Sequence, residues 1–317
     1  MRSWATALLS LALASPVPAA DFGADPEALA LIREQSRRLR APAAPQGLAC
    51  DGPFRVDSRA RGAYFRKVAS RPASDWTGLR ARVVLPQVYL DAERSYTPAP
   101  GQPPYWEGPL DRPSVYLGAG AEAAEVDAGL SWDRVFDAQG RPEAGPLKPS
   151  FAFRPFWRTA GTAGNRWRNP PAGDQNYFQP GEAVVMTLRL RQDGTVRLDI
   201  RSEDGAGRNF AAVFPAPGFS GRRARSFKRV VSIDQFRVMD GARRGNEGSA
   251  VLPTRSSLRG ARWSQVALSA PGRAAPLSGS LCQEVAGSDT AADYAGIFSI
   301  TKQPGGGETV DILPHVR

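Results

Sequence analysis

The sequence predicts an all-β chain folded as a sandwich of two antiparallel sheets, with a short helix before it. Three observations carry the prediction. After residue 50, apolar and polar residues alternate with a period of two in about ten short runs. Glycine and proline, 32 and 28 residues, separate those runs. No helical period returns after residue 40.

In chain order, residues 1–20 (MRSWATALLSLALASPVPAA) carry one charge, Arg2, then an apolar run and a small-residue end. That is the layout of a cleaved secretory signal, with cleavage after Ala20. The run is too short to cross a hydrocarbon layer of ~30 Å, which takes roughly 20 residues, so it predicts no transmembrane segment. The expected location is secreted, periplasmic or at the cell envelope. In residues 21–49, Asp25-Pro26 supplies a cap and a favoured first helical position, and the basic Arg37–Arg40 end suits a helix C-terminus. This stretch reads as a helical leader and linker.

The strand-like runs are 64–69, 81–90, 114–117, 124–132, 151–157, 183–190, 195–201, 210–214, 227–233 and 261–268. Asp193-Gly194, between alternating runs, marks a tight hairpin. The sandwich is expected over 50–270, with a further strand at 294–300 and a Gly-rich tail in the segment 271–317. Two connections, 94–112 and 159–181, are long and rich in aromatic residues, the second carrying Trp167 and Tyr177 beside Arg168. Long loops in compact domains are functional or disordered, and aromatic residues argue against disorder.

Lysine and arginine outnumber aspartate and glutamate 41 to 31, a formal charge of +10. The excess attracts anionic polymers, acidic polysaccharide and envelope glycan foremost, without implying a specific nucleic acid partner. An Arg-, Ala- and Pro-rich composition of GC-rich coding origin explains the same charge. Two cysteines, Cys50 and Cys282, favour a disulfide in an exported chain. Two unrelated buried thiols are the alternative. With His315 as the single histidine, Cys and His alone cannot close a structural zinc site, and no metal or cofactor is expected. One histidine also excludes a Ser-His-Asp triad unless it is His315 itself, two residues from the end.

The centre of the pattern is VYLGAGAEAAEVDAGLSW, residues 115–132: two strands joined by a small-residue turn, with Glu125 and Asp127 on one face. With FKRVVSIDQ and GARWSQVAL further on, it resembles uncharacterised exported bacterial proteins of the concanavalin A-like lectin/glucanase jelly-roll superfamily. The resemblance covers roughly residues 54–270. Glucanases of that superfamily carry a Glu, an Asp two residues on, and a second Glu two or three further along one strand. Glu125 and Asp127 match the first two places, but the third falls on Gly129 or Leu130. The acid/base of a retaining hydrolase is therefore missing, and the next carboxylate of the right parity, Asp133, is roughly 20 Å beyond Asp127.

The leading expectation is thus a non-catalytic, exported carbohydrate-binding protein. Glu125, Asp127, Trp132, Arg158 and Arg168 are the polar side of the candidate site, and Trp157, Trp167 and Tyr177 its stacking residues. The alternatives are a glycan-cleaving enzyme using Glu125 and Asp127, and an envelope protein held to anionic polymers by charge. Glu125 and Asp127 are also expected to pair with cations of adjacent strands, Arg189, Arg191 or Arg197.

Overall fold

In the computed structural model the described residues lie between 55 and 316. The breaks are 58–61, 71–75, 102–106, 122–123, 138, 140, 143–149, 162–165, 204–207, 220–223, 225, 247–248, 278–280, 287–295 and 304–306. The expected signal, leader helix and Cys50 lie outside the described residues, as does the side chain of Cys282.

Two nine-stranded sheets pack face to face. The first runs in the order β1 (Arg55–Asp57), β18 (Leu281–Ala286), β2 (Ala63–Ser70), β14 (Ser226–Met239), β7 (Asp111–Gly120), β8 (Ala124–Arg134), β9 (Phe151–Gly161), β10 (Arg166–Arg168), with β15 (Ala242–Gly245) on β14. The second runs β13 (Asn209–Pro215), β12 (Thr195–Ser202), β11 (Ala183–Leu190), β3 (Gly78–Val84), β16 (Ser257–Ala270), β20 (Glu308–Ile312), β19 (Phe298–Lys302), with β4 (Gln87–Tyr89) and β17 (Arg273–Pro276) also on β16. Pairing is antiparallel within both sheets except for β1 on β18, and β5 (Ser95–Tyr96) pairs antiparallel with β6 (Gly108–Pro109) in a separate two-stranded ribbon.

The period of two explains the layering. On β8, Val126, Ala128 and Leu130 are fully buried, and on β11 so are Val184, Met186 and Leu188. These faces meet in one core, and their alternates, Glu125 and Asp127 on β8 and Thr187 and Arg189 on β11, point away from it. At ~25 cal/mol per Å², a core of this kind is the dominant favourable term of folding.

Most of the predicted strands recur with longer ends, the strand expected at 294–300 begins only at Phe298, as β19, after a helical turn at 296–297, and the expected run 81–90 divides into β3 and β4 at Leu85-Pro86. Proline lacks the N–H that a continuing ladder needs. The β11–β12 hairpin is a three-residue loop: Arg191 N–H donates to Thr195 O at 2.9 Å, and Gly194 sits at φ 74°. That is the left-handed position this loop length requires. β10, β15 and β17, three or four residues each, lie outside the predicted runs.

Candidate functional site

The outer face of the first sheet is built in rows across its strands, because directly paired residues share a face. One row reads Lys228, Gly118, Asp127, Arg158, Trp167 on β14, β7, β8, β9 and β10. The next reads Val230, Tyr116, Gly129, Phe156, and the one beyond it Ser232, Ser114, Ser131, Arg154.

Glycine makes the first two rows work. A Cβ on Gly118 would stand 2.4 Å from Lys228 Cε and 2.8 Å from Asp127 Oδ1. Its absence lets the lysine lie across β7 and reach β8. Lys228 Nζ pairs with Asp127 Oδ1 at 2.7 Å and also with Glu125 Oε1. Arg158 closes the cluster from the other side, 3.8 Å from Glu125 and 4.0 Å from Asp127. Likewise a Cβ on Gly129 would come within 2.5 Å of Tyr116 Cα, so the third place of the glucanase pattern cannot carry a side chain here.

The electrostatics follow from this clamp. The Lys228 ammonium holds the Glu125 carboxyl down at about 2 against the opposing effect of burial, with Arg158 assisting. Burial would lower the Lys228 ammonium, but Asp127 and Glu125 outweigh it and keep it above its ordinary value. Burial first, then the Asp127 charge, push the Tyr116 phenol well above its usual range. Glu125 therefore has no proton to give a leaving group at neutral pH, and Tyr116 is a poor base.

Of the residues expected to bind ligand, Glu125, Asp127, Arg158 and Trp167 do share this face. Trp167 lies flat on Phe156, centroids 4.3 Å apart and planes 3° apart, and its indole N–H donates to Asn169 Oδ1 at 2.8 Å. The other four do not. Trp132 is five residues from Asp127, an odd step, and so turns to the core side, against Phe153 and Phe151. Trp157 faces the opposite sheet and stacks on Phe210 and Phe214 at 6.1 and 5.8 Å. Arg168 is paired with Trp157 in register and shares its side. Tyr177 is buried, its hydroxyl accepting from Phe136 N–H at 2.9 Å and pinning its own loop. Arg189, Arg191 and Arg197, expected to pair with the two carboxylates, belong to the other sheet and its hairpin, and Lys228 and Arg158 take that role. His315 is tied to the Tyr64 hydroxyl at 3.0 Å and to Thr254 backbone, away from this face.

Sequence reasoning missed Lys228, Tyr116, Arg112 and Phe156. Alternation on their own strands puts them on the outer face, but no local signal says which strands adjoin. Among the described residues no group of three or more potential ligand side chains is placed to hold a metal ion, and no helix is long and apolar enough to cross a membrane.

No family model matches the chain, and no curated protein matches it. Among solved structures it is similar to scytalido-glutamic peptidase, at 10% identity and TM-score 0.47 over 81% of this chain and 100% of that one. It is also similar to the enzymatically active domain of bacteriophage CBA120 tailspike protein 2, at 10% identity and TM-score 0.32 over 62% of this chain and 23% of that one. A third is the catalytic domain of PdAgaC, at 11% identity and TM-score 0.25 over 58% and 69%. Scores this low transfer no residue role to this chain.

Proposed function

We propose that the chain is an exported, non-catalytic carbohydrate-binding protein of concanavalin A-like type, and that the outer face of the first sheet is its glycan surface. The observation that carries this reading is the pairing, on one face, of a rigid aromatic shelf with two carboxylates that neighbouring cations hold in place. Trp167, backed by Phe156 and fixed by Asn169, offers an apolar ring to pyranose C–H groups without an ordering cost. Glu125 and Asp127, clamped by Lys228 and Arg158, accept from sugar hydroxyls, and Glu125, held down at about 2, lacks the raised pKa of a general acid.

The test is a glycan array on the purified chain at low salt and at about 0.5 M salt, where charge attraction is screened to a few Å, with reducing ends assayed on every hit. Salt-resistant binding that Trp167→Ala weakens about tenfold or more, with no new reducing ends, is the expected result. Sugar release that disappears in Glu125→Gln overturns the reading in favour of a glycan-cleaving enzyme.

A further inference from the structure

We infer that Arg112 is a receptor for the carboxylate of an acidic sugar unit, so that the glycan bound on this face is a uronate-containing one. The inference rests on the glycan-binding reading above and adds the ligand's chemical class.

Arg112 projects from β7 on the same face as Tyr116 and Ser114. Its guanidinium carbon lies 5.7 Å from the Trp167 ring centroid and 5.2 Å from that of Phe236, a ring it shares with Arg243 at 4.2 Å, so the cation lies against two aromatic rings. Its arginine neighbours are occupied: Arg94 by Asp111 at 2.9 Å, Arg134 by Glu107 at 3.3 Å, and Arg154 by the Pro170 carbonyl with Asp133 at 3.8 Å. Arg112, among the described residues, has neither an ion pair nor a hydrogen bond. Asp234, its cross-strand neighbour, is engaged by the Ser114 and Ser232 hydroxyls, each at 3.4 Å.

Two further donors at this place also lack an acceptor among the described residues. Ser131 is 1% exposed, and its Oγ is buried without a partner. Arg154 Nε, paired with Ser131 in register, is buried without one as well. A buried donor left unmade costs ~1–3 kcal/mol, so the rows beneath Arg112 carry more donors than acceptors. Burial first, and then the nearness of Arg112, push the Arg243 guanidinium down to about 9, with Asp133 and Asp111 opposing.

The forked guanidinium matches a carboxylate in two parallel hydrogen bonds, and the neighbouring rings limit where the fork can swing. Trp167, the proposed sugar shelf, has the Arg112 guanidinium carbon 5.7 Å from its ring centroid, which places the acid next to a ring rather than alone. A carboxylated pyranose has that layout. A free anion has no use for the shelf.

Isothermal titration at about 0.5 M salt tests this with oligogalacturonate, oligomannuronate and oligoglucuronate, their methyl esters, and a sulfated galactan oligosaccharide. At least one uronate is expected to bind about tenfold or more tighter than its own ester. Arg112→Ala should erase that preference and Arg112→Lys should not restore it, while both variants keep the wild-type melting midpoint. Equal affinity for acid and ester, retention of the preference in Arg112→Ala, or tighter binding of the sulfated probe overturns the inference and leaves the glycan-binding reading standing. Failure of every glycan to bind removes that reading, and this one with it.

Discussion

Gly118 shows how much one missing methyl group can decide. It lies in the middle of three paired strands, under the contact between Lys228 and Asp127. Its would-be Cβ meets Lys228 Cε at 2.4 Å, Asp127 Oδ1 at 2.8 Å and the Val126 carbonyl at 2.8 Å. The lysine tip can move, but the backbone carbonyl cannot. Gly118→Ala should therefore displace Lys228 and destabilise the fold by about 1–3 kcal/mol, the usual cost of overpacking. Urea unfolding of the variant at neutral pH measures it, and an unchanged midpoint would mean that the lysine bridge contributes nothing. At this scale the sequence was partly legible. Alternation puts Glu125 and Asp127 on one face and equally puts Trp132 on the other, so aromatic chemistry is a poor guide to membership of a site without parity. Trp157 is a different case. Its side is set by pairing with Ala128 on β8, a long-range register that no local pattern contains.

At the level of strands, the two sheets are joined by more than apolar contact. Arg66 of β2 and Arg229 of β14 both reach Glu308 of β20 across the core. Arg66 binds it in a fork at 3.0 and 2.8 Å, and Arg229 at 2.6 Å. The three side chains are at most 3% exposed, and Arg229 also lies over the Trp263 ring at 5.5 Å. Burial would raise the Glu308 carboxyl, but Arg229 and Arg66 overcome it and hold it at about 2. A folded-state pKa below the unfolded value of about 4.5 adds stability that is complete above that value. It is lost as pH falls from there towards 2. Glu308→Gln should cost about 3–5 kcal/mol at neutral pH, the range for breaking a buried pair. It should also flatten the loss of stability between pH 4.5 and 2 relative to wild type. Chemical denaturation across that pH range reads both effects, and identical slopes for the two proteins would remove Glu308 from the acid response. None of this network was legible in the sequence, because β20 is five residues long and its two partners lie 242 and 79 positions away. The long alternating strands were legible for the opposite reason, since each repeats its period three or four times.

For the molecule as a whole, basic side chains among the described residues stand on both outer faces, with different consequences. On the first sheet the cations are largely spent on Glu125, Asp127, Asp111 and Asp133, leaving Arg112 as the exception among its neighbours. On the second sheet, Arg80, Arg189, Arg197, Arg201 and Arg262 are exposed, and Asp199, 2.7 Å from Arg197, offsets only part of their charge. Exposed charges on a flat face attract polyanions over a distance set by ionic strength, ~10 Å at 0.1 M salt, and discriminate weakly between them. Retention on a sulfated resin is therefore expected to depend on the second sheet, whereas selective glycan binding depends on the first. The combined variant Arg80→Gln, Arg189→Gln, Arg262→Gln should elute at distinctly lower salt than wild type while its glycan affinity at about 0.5 M salt stays the same. Trp167→Ala should do the reverse. If the triple variant elutes with wild type, the charge acts through another surface. If it loses salt-resistant glycan binding as well, the two faces are not independent, and the division of labour between them is wrong.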